Sequence, residues 1–208
     1  MFTGIVQTQA TVISVSELQG IKRLVLSVPG QYLQHLDLGA SIAINGCCLT
    51  VVHFELGIRD VVGQVYFDII DETLRLTNLG LLIQGQKVNF ERSVCFGTEL
   101  GGHIVSGHIH TTAVLSDINY SGDNCSFKFT VDNNWMKYII HKGFVSINGA
   151  SLTVGDVNES SFYVHLIPET LKITNLGLAN VNDKINIEVD QQTYTIINTV
   201  ERYMKNNM

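Results

Sequence analysis

The chain is short of charge and nearly devoid of proline. Only 15% of its 208 residues are Asp, Glu, Lys or Arg and only two are proline, whereas 45% are hydrophobic. Such a composition belongs to packed domains and excludes a disordered chain. Basic excess is missing as well, since the formal net charge is −6. Nucleic acid and anionic membrane surfaces are held by basic footprints, so neither is expected as a partner. No apolar run reaches the roughly 18 residues of a transmembrane helix. The opening "MFTGIVQTQA" has neither a basic n-region nor a long apolar h-region, so no signal peptide is read and the expected location is cytoplasmic. No C-x-x-C pair exists, and Cys47, Cys48, Cys95 and Cys125 are expected as free thiols. G-x-x-x-x-G-K-[ST], a G-x-G-x-x-G after a strand and G-x-S-x-G are all absent, which removes the common nucleotide-binding and hydrolase readings.

What is present is repetition. "INGCCLTV" (44–51) returns as "INGASLTV" (147–154), and "ETLRLTNLGL" (72–81) as "ETLKITNLGL" (169–178), identical at eight of ten positions. "VNFE" (88–91) corresponds to "INIE" (185–188), and "GIVQTQATV" from Gly4 to "GHIHTTAVL" from Gly107. Four blocks in one order mark a duplicated domain, with the boundary placed in 94–102. The offset is 103 residues for the first blocks and 97 for the later ones, so six extra residues sit between Val51 and Phe67, as a longer hairpin loop. Asn-Gly at 45–46 and 148–149 predicts type I′ hairpin turns. Short β-branched and aromatic runs such as "VYFDII" and "FYVHLI" predict strands, and the "ETLRLTN-LG" blocks predict one or two helical turns stopped by glycine. Short strands with one short helix per half indicate two small closed barrels in tandem. The tail differs from both copies: Ile196, Ile197, Val200, Tyr203 and Met204 form a helical stripe that either packs on the second barrel or meets copies of itself.

Strand alternation sorts the altered pair. Cys47, Leu49 and Val51 share one face with the core, as do Ala150, Leu152 and Val154. Cys48 with Thr50, and Ser151 with Thr153, then point outward at equivalent places, where packing does not dictate the residue. Two related shallow sites are expected there, one with a thiol and one with a hydroxyl. The histidines of "GGHIVSGHIHTT" lack a carboxylate or C-x-x-C partner for zinc, so no metal site is expected, and a proton-moving imidazole is favoured instead. Strand spacing would put His108 and His110 on one face.

In order, "MFTGIVQ", "NGCCLTV", "GGHIVSGHI", "KGFVSINGASLTV", "HLIPETL" and "NIEVD" resemble riboflavin synthase over essentially the whole chain. The resemblance implies an all-β fold of two tandem homologous six-stranded Greek-key barrels with short helices, plus a C-terminal amphipathic helix. It divides the chain into lumazine-binding barrels at 1–97 and 98–190 and an oligomerisation helix at 191–208, through which a homotrimer assembles. It implies a cofactor-free transferase that dismutates two molecules of 6,7-dimethyl-8-ribityllumazine, by four-carbon transfer, to riboflavin and 5-amino-6-(D-ribitylamino)uracil. By resemblance the catalytic candidates are His108, Cys48, Ser151 and Asp190. The family's substrate-contact segments map onto Gly4, Ile5 and Val6, onto Cys48, Leu49 and Thr50, and onto Asp68, Ile69, Ile70, Asp71, Glu72 and Thr73. In the second half they map onto Gly107, His108 and Ile109, onto Lys142, onto Ser151, Leu152 and Thr153, and onto His165, Leu166, Ile167, Pro168, Glu169 and Thr170. In that family the working site lies between the first barrel of one subunit and the second barrel of a neighbour. The longer loop at 55–64 departs from the family pattern. An alternative is a lumazine-carrying antenna protein of the same fold without synthase activity. That both halves keep x-N-G-x-x-L-T-V and E-T-L-x-x-T-N-L-G favours the enzyme.

Overall fold

The computed structural model describes residues 1–57, 61–122 and 124–207. Residues 58–60 of the expected longer loop lie outside them. In the first half, β1 (Thr8–Leu18), β2 (Ile21–Pro29), β3 (Ser41–Ile44), β4 (Cys47–Glu55), β5 (Val62–Ile70) and β6 (Lys87–Arg92) close into a barrel in the order β1-β2-β5-β4-β3-β6. In the second half, β7 (Thr111–Ser121), β8 (Asn124–Thr130), β9 (Phe144–Ile147), β10 (Ala150–Val157), β11 (Ser161–Leu166) and β12 (Lys184–Val189) close in the same cyclic order. The two-barrel expectation is met. Among the described residues, closure leaves neither barrel with an open sheet edge.

Alternation explains the walls. In β5 the inward Val65, Phe67 and Ile69 are buried, while the outward Gln64, Tyr66 and Asp68 are half-exposed. Register shifts fall at Val12/Ser14 and at Leu115/Asp117, equivalent places in β1 and β7 where the wall must bend. Both hairpin turns carry the expected positive φ, 46° and 78° at Asn45-Gly46 and 45° and 84° at Asn148-Gly149. They also abut. A Cβ on Gly46 would sit 2.6 Å from the Gly149 nitrogen, and one on Gly149 2.8 Å from the Gly46 nitrogen.

The barrels exchange parts. Val6, which precedes β1, is buried in the core of the second barrel, and Ile109, which precedes β7, is buried in the core of the first. The segments carrying them, here called arms, cross side by side, with Phe2 N–H donating to Val105 O (2.8 Å) and Val105 N–H to Phe2 O (3.0 Å). Six asparagines, three from each repeat, tie the barrels together at their junction. Asn78 N–H donates to Asn186 Oδ1 (2.6 Å) and Asn186 Nδ2 to Asn45 O (2.9 Å). The mirrored pair is Asn175 N–H to Asn89 Oδ1 (2.6 Å) and Asn89 Nδ2 to Asn148 O (2.8 Å).

Two expectations need correction. The helices α1 (Asp71–Leu76) and α3 (Pro168–Ile173) are not stopped by glycine. Each ends where Thr77 or Thr174 turns extended and caps a 3-10 turn, Asn78–Leu81 or Asn175–Leu178, that contains the glycine. Glycine is needed there for closeness, since a Cβ on Gly177 would meet Leu171 O at 2.1 Å. The short α2 (Asn133–Met136) and the long α4 (Gln191–Asn207) complete the chain. The tail does not present a single stripe. On α4, Tyr194 and Ile197 pack against the second barrel, while Ile196, Val200, Tyr203 and Met204 face away from it and are exposed.

Candidate functional site

Cys48 and Ser151 do leave their barrel cores, but packing is not indifferent to them. Each is half-covered by the arm of the opposite repeat. Cys48 N–H donates to Gly107 O (2.8 Å), and Ser151 N–H donates to Gly4 O (2.8 Å). Both glycines hold positive φ, 83° and 74°, and neither can carry a side chain. A Cβ on Gly107 would lie 2.6 Å from Cys48 Cβ, and one on Gly4 2.6 Å from Ser151 Cβ. Two half-sites result, related by the repeat and each built from both halves of the chain.

Around Cys48 the neighbours are Phe2, Ala43 and Val105, which form a small buried cluster. Thr50 is exposed on the same face and pairs across to Ser41 on β3. On β5, Phe67 lies opposite Val51, so the outward Asp68 and Ile70 fall in step beside Thr50 and Cys48. Asp68 receives Nε and Nη2 of Arg23 at 2.7 and 2.8 Å, and that bidentate pair holds its carboxyl below the usual carboxylate range. Cys47, one residue away, points inward, and burial with Cys48 and Glu188 nearby pushes its thiol up to about 12. It is inert as a nucleophile at neutral pH.

Around Ser151 the chemistry is richer. His103 Nδ1 lies 2.6 Å from Ser151 Oγ, and the imidazole stacks on Phe144 with 5.1 Å between ring centres. Burial lowers the His103 pKa below its ordinary value, and the Asp190 carboxylate opposes that shift only in part. The neutral ring is therefore favoured near neutrality and can accept a proton from, or through, Ser151. The matching places in the first half hold Ser41 for Phe144 and Ser93 for Asp190. The difference between the half-sites is thus larger than the Cys48/Ser151 exchange. Thr153 is exposed opposite Phe144, and His165 on β11 approaches Gly155.

The other candidates divide by where their side chains go. Val6, Leu49, Ile69, Ile109 and Leu166 are buried, so only their backbone can face a ligand, whereas Leu152 is half-buried. Ile5, Ile70, Asp71, Glu72, Lys142, Ile167, Pro168 and Glu169 are exposed, and Thr73 and Thr170 are half-buried. Asp190 accepts from Thr193 N–H and Thr193 Oγ1, both at 2.8 Å, and so also caps α4. His108 and His110 do not share a strand face, because both lie in the arm before β7. His108 is exposed, while the partly buried His110 packs against Trp135 and Tyr194.

Two features of the sites carry little signal of their own in the sequence. His103 was one of three clustered histidines and is the one beside the serine. Glu91 and Glu188, visible only as the ends of "VNFE" and "INIE", are buried against the arms. A cleft of ≈ 370 Å³ lies at the asparagine junction, lined by Asn45, Asn78, Asn148 and Asn175, and includes neither Cys48 nor Ser151. Among the described residues no helix is long and apolar enough to cross a membrane.

Comparison with known proteins agrees with this architecture. The model of the lumazine binding domain matches twice, at residues 3–93 and 106–190. Riboflavin synthase of Escherichia coli (strain K12) is 47% identical over 98% of this chain and 93% of its own length. Riboflavin synthase of Bacillus subtilis (strain 168) is 33% identical over 91% of this chain and 85% of its own. Among solved structures, LumP complexed with riboflavin superposes with a TM-score of 0.80 at 29% identity, covering 92% of this chain and all of that one. LumP complexed with 6,7-dimethyl-8-(1'-D-ribityl) lumazine gives 0.78 at 28% identity over 91% of this chain.

Proposed function

The chain belongs to the riboflavin synthase family, and on that premise we propose that it converts two molecules of 6,7-dimethyl-8-ribityllumazine into riboflavin and 5-amino-6-(D-ribitylamino)uracil. The four carbons lost by one molecule are those gained by the other, so the reaction balances without a redox cofactor. Two identical substrates must take unlike roles. The observation that carries this reading is the pair of half-sites on one duplicated frame, one presenting Cys48 and the other Ser151 with His103.

Orientation supplies much of the rate when two rings are held face to face. The half-sites lie on open surfaces flanked by exposed Ile5, Ile70, Phe144 and Ile167. Apolar residues so placed suit burial against substrate rings and against a second copy of the chain. The exposed Ile196, Val200, Tyr203 and Met204 of α4 supply a self-complementary stripe for such copies, and a homotrimer would bring the first half-site of one chain to the second half-site of the next. Proton transfer supplies the rest. The 7-methyl group of the substrate is acidic because its anion spreads over the ring, and a neutral His103 working through Ser151 suits the removal or relay of that proton. His108 and Asp190 remain candidates for the same work, with Cys48 and Thr50 lining the other ring.

The 47% identity to the Escherichia coli synthase, against 29% and 28% to the two LumP structures, favours catalysis over carriage. The test is direct. Ligand-free protein mixed with 6,7-dimethyl-8-ribityllumazine should release one riboflavin per two lumazines consumed, with nothing added. Tight binding without riboflavin would refute the reading and place the chain with the carriers.

A further inference from the structure

We propose that Glu91 and Glu188 are positioning residues for this reaction, and that their wiring is crossed: the carboxylate of each barrel sets the arm that holds the reactive residue of the other. The proposal rests on the synthase reading above. Glu188, on β12 of the second barrel, accepts from Ser106 N–H (2.8 Å), Ser106 Oγ (2.7 Å) and Gly107 N–H (3.0 Å). Ser106 Oγ in turn accepts from His108 N–H (3.2 Å), and Gly107 O accepts from Cys48 N–H in the first barrel. Glu91, on β6 of the first barrel, accepts from Thr3 N–H (2.7 Å) and Thr3 Oγ1 (3.0 Å). Thr3 Oγ1 accepts from Ile5 N–H (3.3 Å), and Gly4 O accepts from Ser151 N–H in the second barrel.

Both carboxylates are almost fully buried, at 4% and 2% exposed. A carboxylate is chosen there because it is acceptor-only, and the arms offer only donors. The two are not equally exacting. Both oxygens of Glu188 are engaged, one by Ser106 and one by Gly107. An amide at 188 must therefore turn its NH2 toward a backbone N–H whichever way it flips. Glu91 uses only Oε1, and its Oε2 has no partner. An amide at 91 can place its NH2 there and keep Thr3. Gly4 and Ile5 N–H lie near enough to favour the Glu91 charge, short of bonding geometry, so its replacement still has a cost.

The experiment reads the thiol across the junction. Alkylation of Cys48 by iodoacetamide is timed in the full-length protein by peptide mass spectrometry, which separates it from the exposed Cys95. Opposing a backbone N–H with an amide donor should loosen the Gly107 arm, so E188Q should speed Cys48 alkylation by about tenfold or more, the effect of one broken buried hydrogen bond. E91Q should leave the Cys48 rate at the wild-type value while lowering turnover less than E188Q does. Where E188Q is not recovered folded, S106A removes one donor and should shift the Cys48 rate in the same direction by a smaller factor. An unchanged Cys48 rate in E188Q, or in S106A where that replaces it, overturns the proposal. So does an equal rise in E91Q. A wild-type protein that makes no riboflavin would instead overturn the synthase reading, because alkylation is measured without substrate.

Discussion

Asn186→Ala isolates the junction between the barrels. Asn186 is fully buried on β12, and its side chain directs two hydrogen bonds to the other barrel: Oδ1 accepts from Asn78 N–H at 2.6 Å and Nδ2 donates to Asn45 O at 2.9 Å. Alanine leaves a buried N–H and a buried C=O without partners, since Asn78 and Asn45 are themselves only 8% and 2% exposed. Each orphaned group costs about 1–3 kcal/mol, which sums to about 2–6 kcal/mol. At about 2–4 °C per kcal/mol for a chain of this size, the middle of that range lowers Tm by about 8–16 °C. Urea titration followed by the fluorescence of the sole tryptophan, Trp135 in the second barrel, and by far-ultraviolet circular dichroism gives the loss and tests for one transition. Asn119→Ala, at an exposed position on β7, is the control and should stay within about 0.5 kcal/mol. A loss below about 1 kcal/mol for Asn186→Ala would refute the view that these bonds weld the barrels.

His103→Gln should lower kcat by about a hundredfold, the usual scale of a lost general base, with a smaller change in KM. Because the wild-type ring titrates below its ordinary value of 6.5, the acid limb of kcat should begin below that pH, and the limb should vanish in the variant; its survival would remove His103 from the mechanism. Stability follows the same sign. His103 and His110 both have lowered folded pKa values, so the unfolded chain takes protons first and the stability held above pH 6.5 is lost as pH falls beneath it. The urea midpoint should drop over that window, with Glu91 and Glu188, raised by burial, contributing in the opposite sense: their share is present below pH 4.5 and lost as pH rises through their folded values. Gly107→Ala forces a left-handed alanine, at about 1–2 kcal/mol, and a clash with Cys48, so turnover and Tm should both fall; an active variant of unchanged Tm would show that the arm yields. Val200→Asp places a charge in the exposed stripe of α4 and should dissociate the homotrimer proposed above in sedimentation velocity and abolish turnover, while circular dichroism stays unchanged; an unchanged sedimentation coefficient would refute assembly through that stripe.

The sequence made the barrels legible because the signals were local. Asn-Gly turns, two-residue alternation in "VYFDII" and matched blocks in fixed order need no long-range information, and the outward placing of Cys48 and Ser151 followed from counting along a strand. Contacts across the duplication were not legible. Asn45, Asn78 and Asn89 recur as Asn148, Asn175 and Asn186, yet repetition alone does not say that the six meet. Nor does alternation reveal that Val6 and Ile109 leave their own barrels, because an arm has no partner strand to fix its register. His103 escapes a sequence reading for the same reason: it lies ahead of the matched blocks and reaches Ser151 only through the crossing of the arms. The tail's apolar residues form one stripe in the sequence because period alone cannot separate the face that docks on the barrel from the one left exposed.

The exchanged arms carry a consequence for ancestry. A single repeat cut from this chain would keep an arm ending in Val6 or Ile109 and a core with a hole where the other's residue belongs. Since the two plugs are near-equivalent in shape, two lone copies could fill each other's holes, as strangers shaking hands. The present protein has the arrangement of such a swapped pair, held within one chain. In a pair of identical separate copies, a change at the position of Cys48 would also be a change at that of Ser151. Within one chain the two positions are free to differ, as Cys48 and Ser151 do.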